Sequence, residues 1–164
     1  MATKALYAGS FDPVTMGHLD IIERASRIFG QVIVAVGVNP KKPGLFTPEE
    51  RVALLNASCR GMRNITIKSF SGLTADFASQ EKCSVLIRGL RDAQDFGFET
   101  QMAHMNHHLT PTLETIFIPC LQQYSSVSSS LVKEVASLLQ KDSVRIKGLV
   151  PAVVEKALLK KFKK

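Results

Sequence analysis

Tryptophan is absent from this chain of 164 residues, tyrosine occurs only twice, and there are three cysteines. Cys59, Cys83 and Cys120 lie far apart with no Cys-x-x-Cys spacing. That excludes a disulfide framework and a cysteine-built zinc site, and favours a reducing compartment. Cys83 precedes the apolar Val85-Leu86-Ile87 and reads as a core thiol, not a nucleophile. No apolar run approaches the roughly 20 residues that a membrane helix needs. The opening Met-Ala-Thr-Lys-Ala-Leu-Tyr lacks the apolar core and cleavage site of a signal peptide, so a cytoplasmic protein is expected, without membrane contact. Ten glycines and seven prolines are too few for a collagen-like or low-complexity chain. Two familiar phosphate loops are also missing: no G-x-G-x-x-G follows the first strand, and G-x-x-x-x-G-K-[ST] occurs nowhere.

What is present is an ordinary globular composition, 45% apolar and 21% charged, with the length of one domain spanning 1–164. The net charge of +7 is concentrated at one end. Lys156, Lys160, Lys161, Lys163 and Lys164 fall in the last nine residues, and the rest of the chain carries only +2. Such a tail reads as the solvated face of a last helix. With no RNP-like aromatic pattern or zinc-finger spacing, nucleic acid is not an expected partner.

Short β-branched runs alternate with helical periodicity. Strands are expected at 5–8, 31–36, 65–67, 84–87 and 115–118, each apolar on both faces as if covered by helices on two sides. Helices are expected near 17–29, 48–60, 74–81, 95–109, 128–140 and 152–162. Thr47, Pro48 and Glu50 form a capping box at the start of the second. The alternation predicts an α/β fold, a doubly wound (Rossmann-like) five-stranded parallel sheet with C-terminal helices.

In such a sheet ligands bind beyond the carboxyl ends of the strands. The first loop there is Ala8-Gly9-Ser10-Phe11-Asp12-Pro13-Val14-Thr15-Met16-Gly17-His18. Gly9 lets the chain turn, Ser10 offers a hydroxyl and an amide, and Gly17 permits close approach. His18 falls in the first turn of a helix, where free amides and the dipole favour an anion. Arg88 and Arg91 end the fourth strand, and arginine suits bidentate contact with phosphate. Lys42 adds a cation from the loop after the second strand. The run Ser125-Ser126-Val127-Ser128-Ser129-Ser130 places hydroxyls and amides at another helix start, a cradle for phosphate or simply a set of caps. His104, His107 and His108 share a helix without the acidic partner of a zinc motif and read as structural or surface residues. Phe96 and Phe98 read as packing residues.

Thr15-x-Gly17-His18 resembles the [HT]-x-G-H signature of nucleotidylyltransferases. The resemblance extends over nearly the whole chain, through Phe46-Thr47-Pro48-Glu49-Glu50-Arg51, Val85 to Arg91, Gln101 to Asn106 and Ser128 to Ala136, and is to the phosphopantetheine adenylyltransferases. It implies adenylyl transfer from ATP to 4′-phosphopantetheine, giving dephospho-coenzyme A and pyrophosphate, with Mg²⁺ carried on the triphosphate. It implies Ser10, Lys42 and His18 as catalytic residues and Ser10, Lys42, Thr74 and Arg88 as contacts for the acceptor. Ser10, Phe11, His18, Gly89, Leu90, Arg91, Glu99 and Tyr124, Ser125, Ser126, Val127, Ser128, Ser129 and Ser130 are the implied ATP contacts. Met102, Met105 and Asn106 form a stripe that could line the acceptor groove, and a homohexamer is implied. Ser10, Met16, Phe98, Tyr124 and Gly72 replace the threonine, asparagine, tyrosine, tryptophan and aspartate commoner in that family. Two other readings stay open: a nucleotidylyltransferase with a different phosphorylated acceptor, and a non-catalytic nucleotide- or nucleic-acid-binding module.

Overall fold

Apolar residues recur in five short runs, four of them rich in β-branched side chains, and in the computed structural model each forms a strand of one parallel sheet. The structure describes residues 3–138 and 146–162. The chain runs β1 (Lys4–Gly9), α1 (Met16–Ile28), β2 (Gln31–Val38), α2 (Pro48–Ser58), β3 (Ile65–Ser71), α3 (Thr74–Gln80), β4 (Val85–Leu90), α4 (Ala93–Leu109) and β5 (Glu114–Pro119). A 3₁₀ turn (Gln122–Tyr124), α5 (Ser129–Leu138) and α6 (Ala152–Phe162) complete it. The end of the helix expected over 128–140 lies outside the described residues.

The strand order is β3-β2-β1-β4-β5, every neighbouring pair parallel. The chain therefore winds outward from β1 in both directions. A crevice opens between β1 and β4, where the direction reverses. One face of the sheet packs Tyr7, Val34 and Ile87 against Ile21 and Ile22 of α1, Leu55 of α2, Val132 of α5 and Leu158 of α6. The other packs Leu6, Ile33 and Leu86 against Ala75, Phe77 and Ala78 of α3. Cys83 is buried in that second cluster, as a core thiol should be.

Double coverage holds for the central strands and fails at the edges. Ile116 of β5 is 40% exposed, and β3 is only half-buried along most of its length. Beside β4 and β5, α4 buries only Asn106 among its 17 residues. Phe98, Met102 and Met105 are exposed, and Phe96, itself half-exposed, makes a T-shaped pair with Phe117. Phe98 is thus not the packing residue expected. Met102, Met105 and Asn106 stand at i, i+3 and i+4 on one side of α4, with Asn106 buried and the two methionines exposed.

Helix starts follow local chemistry. At α2 the Thr47 hydroxyl accepts from the Glu50 amide at 3.2 Å, and the Glu50 carboxylate accepts from the Thr47 amide at 2.8 Å. The helix α4 begins two residues earlier than expected because Asp92 caps it, accepting from the amides of Gln94 and Asp95. Part of the basic tail is engaged: Lys161 on α6 pairs with Glu50 at 2.9 Å and lies over the Phe46 ring.

Candidate active site

The crevice at the β1/β4 reversal contains an open cavity of about 300 Å³. Five pieces of chain build its wall: the end of β1, the loop into α1, the β4–α4 turn, the 3₁₀ turn after β5, and the start of α5. Of the residues singled out from the sequence, Phe11, His18, Arg88, Gly89, Arg91, Glu99, Tyr124, Val127, Ser128, Ser129 and Ser130 lie on this wall. Ser10, Lys42, Thr74, Leu90, Ser125 and Ser126 do not. Ser10 and Lys42 are exposed on the two loops above it, the Ser125 hydroxyl turns back to the Gln122 carbonyl, and Leu90 is held in the sheet by Cys120. Thr74 opens α3, on the other face of the sheet. Gly72 just before it has φ 90, a left-handed conformation that strains any residue with a Cβ, so glycine there serves the turn.

The first loop works differently from the simplest expectation. Its left-handed residue is Phe11, with φ 45, while Gly9 is needed for space: a Cβ at Gly9 would sit 3.2 Å from the Phe11 ring. That ring packs edge-on against Tyr7 and His18, with centroids 5.4 and 5.1 Å away. Glycine at position 17 is not required by packing, since an added Cβ would have only ordinary contacts with Tyr124, and the space beside it is the cavity.

His18 is locked in one tautomer. The Thr15 amide donates to its Nδ1 at 3.0 Å, and the Thr15 hydroxyl lies 2.9 Å from the same nitrogen. The imidazole thereby replaces the usual carboxylate of a capping box. A nitrogen that accepts from an amide carries no proton, so the proton sits on Nε2. Burial, reinforced by the positive charge of Arg91, pushes the His18 pKa down to about 4. The ring is therefore a neutral donor through Nε2 across the working pH range.

This burial has a consequence for stability. Between pH 6.5 and about 4 the unfolded chain takes up a proton at this position that the folded chain refuses. The contribution of His18 is complete above pH 6.5 and is lost as the pH falls toward 4. Urea unfolding at stepped pH is expected to show a shallower dependence over that interval for His18→Asn than for the native chain. Equal slopes would mean that the imidazole is not buried neutral.

The arginines are held by carboxylates. Arg88 makes a two-pronged pair with Glu99, at 2.5 and 2.7 Å, and donates to the Ala8 carbonyl at 2.9 Å. Arg91 pairs in the same manner with Asp95, both contacts at 2.9 Å. These pairs fix each guanidinium plane at the cavity edge. At the opposite wall the Ser128 hydroxyl caps α5 by accepting from Leu131, and Ser129 donates to the Pro13 carbonyl at 2.8 Å. The serine run thus both caps its helix and fastens it to the first loop, leaving the free amides of the first turn at the cavity.

Two further acids, Asp12 and Asp20, were also not anticipated from sequence. Asp12, almost fully buried, accepts from the amides of Leu45 and Phe46 at 3.0 and 2.9 Å and pairs with Lys133 of α5 at 2.9 Å and Arg51 of α2 at 3.4 Å. Burial opposes its charge, but the Phe46 amide and Lys133 outweigh it and hold its pKa below the ordinary value. Gly44 leaves room for this cluster: a Cβ there would fall 1.8 Å from the Arg51 guanidinium, which the Phe46 carbonyl pins in place. The second is Asp20, which accepts from the Leu121 amide at 3.1 Å and ties α1 to the segment leading into the 3₁₀ turn. A signal for Asp12 existed in the loop, as a lone acid amid apolar residues facing downstream basic ones. Its partners lie 33 to 121 residues away and could not be assigned.

A crevice at the reversal of a parallel sheet, a histidine donor at one helix start, serines at another and two arginines define a nucleotidyltransferase-type site. The sequence model of a family described as cytidylyltransferase-like matches residues 6–135. At 52% identity over 158 residues, covering 96% of this chain and 97% of the other, the chain is similar to the phosphopantetheine adenylyltransferase of Synechococcus sp.. It is similar at 48% identity, with 96% of each chain covered, to that of Clostridium tetani. In fold it is similar to a nicotinic acid mononucleotide adenylyltransferase of Plasmodium falciparum, with a TM-score of 0.73, 16% identity, and 98% and 96% of the two chains covered. The chain belongs to the phosphopantetheine adenylyltransferases.

Proposed function

We infer that this chain transfers the adenylyl group of ATP to 4′-phosphopantetheine, releasing pyrophosphate and dephospho-coenzyme A, a step of coenzyme A synthesis. The observation that carries this reading beyond family membership is the convergence of His18, Arg88, Arg91 and the α5 amides on one cavity. The attacking group is a phosphate oxygen, already anionic near neutral pH, so no general base is required. The barrier lies in bringing two polyanions together and aligning them in line. A neutral His18 donor lowers that barrier, because its Nε2–H strengthens its bond as charge builds on the phosphoryl oxygens. The α5 amides take the β and γ phosphates. Ser10 and Lys42, on the exposed loops over the crevice, close on the reacting phosphates.

Arg88 takes the acceptor phosphate, with Glu99 setting the plane of its guanidinium. Arg88→Ala is expected to raise the KM for phosphopantetheine at least tenfold with a smaller change in the KM for ATP. An unchanged acceptor KM in steady-state assays would remove Arg88 from this role. Thr74 and the half-exposed methionines of α4 are assigned to the pantetheine arm on family grounds alone.

Among the described residues no three His, Cys, Asp or Glu side chains come together, and the cavity acids Asp95 and Glu99 are each engaged by an arginine. Magnesium is accordingly proposed to arrive as part of the MgATP substrate. The exposed apolar side chains of α4 and the open β5 edge support association into the homohexamer that family membership suggests; light scattering in solution tests it. No described helix is long and apolar enough to cross a membrane. The free thiols suit a cytoplasmic setting. The function itself is tested by incubation with ATP and a panel of phosphorylated acceptors. Dephospho-coenzyme A and pyrophosphate in equal amounts are expected from phosphopantetheine, and turnover of nicotinamide mononucleotide alone would overturn the assignment.

A further inference from the structure

The cavity contains one polar group that neither the mechanism nor the family comparison uses. Tyr7, on β1, is 6% exposed, and its ring is part of the cavity wall. Its hydroxyl has no hydrogen-bond partner among the described residues, yet it does not rank with the fully occluded orphan side-chain atoms there, which are those of Ser58 and Thr115. The exposed remnant of this side chain therefore opens on the cavity. Buried phenols almost always find a partner for the O–H, because leaving it unpaired costs about 1–3 kcal/mol. Here the described residues supply none.

The position of the ring says what the partner is. It packs edge-on against Phe11, and its oxygen lies 3.4 Å from the point where Gly89 would carry a Cβ, with Ile21 Cγ1 3.3 Å from that same point. Gly89 follows Arg88 at the end of β4, and the tilted His18 ring stands 6.5 Å away. The hydroxyl thus lies on the α1 side of the crevice floor, between the histidine donor and the β4 end. A β-carbon at Gly89 would press on Ile21 and sit in van der Waals contact with the phenol oxygen. Burial also raises the pKa of the phenol, so it stays protonated and is available as a donor at every working pH.

We propose that Tyr7 is a nucleotide-binding residue, its hydroxyl donating a hydrogen bond to an oxygen of the ribose-phosphate portion of ATP. This rests on the reading that ATP occupies the cavity. The hydroxyl completes a set of neutral donors with His18 and the α5 amides, and it fixes the nucleotide from below while the arginines act from the side.

Tyr7→Phe removes one oxygen and nothing else, so the test is clean. Calorimetric titration with ATP is expected to show about tenfold weaker binding to Tyr7→Phe, as for one lost bond to a charged or polar ligand. The KM for phosphopantetheine and the product are expected to be unchanged. The unfolding midpoint without ligand should be no lower than that of the native chain, since no protein contact is lost. ATP affinity within twofold of native would overturn the proposal. Absence of adenylyl transfer by the native chain would instead overturn the functional reading, so the two failures are distinguishable. A second measurement reads the native phenol. Tyr7 and Tyr124 are the only tyrosines, so the ultraviolet resonance Raman doublet of the native chain, less that of Tyr7→Phe under the same conditions, reports on Tyr7 alone. Saturating ATP is expected to shift that doublet toward the pattern of a phenol that donates, and an unmoved doublet would contradict the assignment.

Discussion

His18→Ala is expected to cut turnover about a hundredfold or more while leaving ATP affinity nearly intact. The size follows from the geometry. The imidazole is a rigid donor, held through Nδ1 by the Thr15 amide and packed against Phe11, so it needs no reorganisation when charge develops. Deleting it removes a contact that is strongest in the transition state, and the loss falls on kcat. His18→Gln, whose amide can still donate, is expected to recover part of the rate. Single-turnover kinetics with equilibrium ATP binding separate the two effects. A fall in affinity matching the fall in rate would make His18 a ground-state contact only.

The other large effect is expected at Asp12. Its carboxylate joins the first loop to the β2–α2 connection through the amides of Leu45 and Phe46, and to α5 through Lys133. Asp12→Ala leaves Arg51 buried without its counter-charge and two amides without acceptors. Breaking such a buried pair costs about 3–5 kcal/mol. For a domain of this size that lowers the melting temperature by roughly 10 °C. Because Lys133 lies one turn beyond the serines, the same change loosens the phosphate cradle, and the KM for ATP should rise in parallel. Lys133→Met separates the two roles: a smaller stability loss with a comparable rise in KM is expected. A native-like KM in both variants would show that Asp12 secures the fold without positioning the cradle.

Most of the architecture was legible because the strands are short apolar runs and the helix starts carry their own chemistry. The Thr47–Glu50 box fixes α2 from four residues, and all five strands fall on short apolar runs. Coverage of the edge strands was not legible, since Phe98 and Met105 look alike in sequence whether buried or exposed. In the site, the residues of contiguous motifs were found, as at His18 and the serine run. What escaped were the partners outside those motifs: the Asp12 cluster, the Asp20 tie to Leu121, and the nearby α4 carboxylates that hold Arg88 and Arg91. The role of Thr15 escaped too, because an imidazole in place of the capping-box acid has no distinct sequence pattern, although it decides which ring nitrogen carries the proton.

That proton decides the chemistry. A nucleophilic histidine would need an unprotonated Nε2 at the cavity, whereas here the free lone pair is on Nδ1 and is taken by Thr15. The adenylyl group must then pass directly between the two substrates, with no covalent intermediate on the protein. The stereochemical course at the α-phosphorus, followed with a single diastereomer of ATP carrying sulfur at that position, tests this most directly. Inversion is the expected result; retention would mean two successive displacements and a histidine acting as nucleophile.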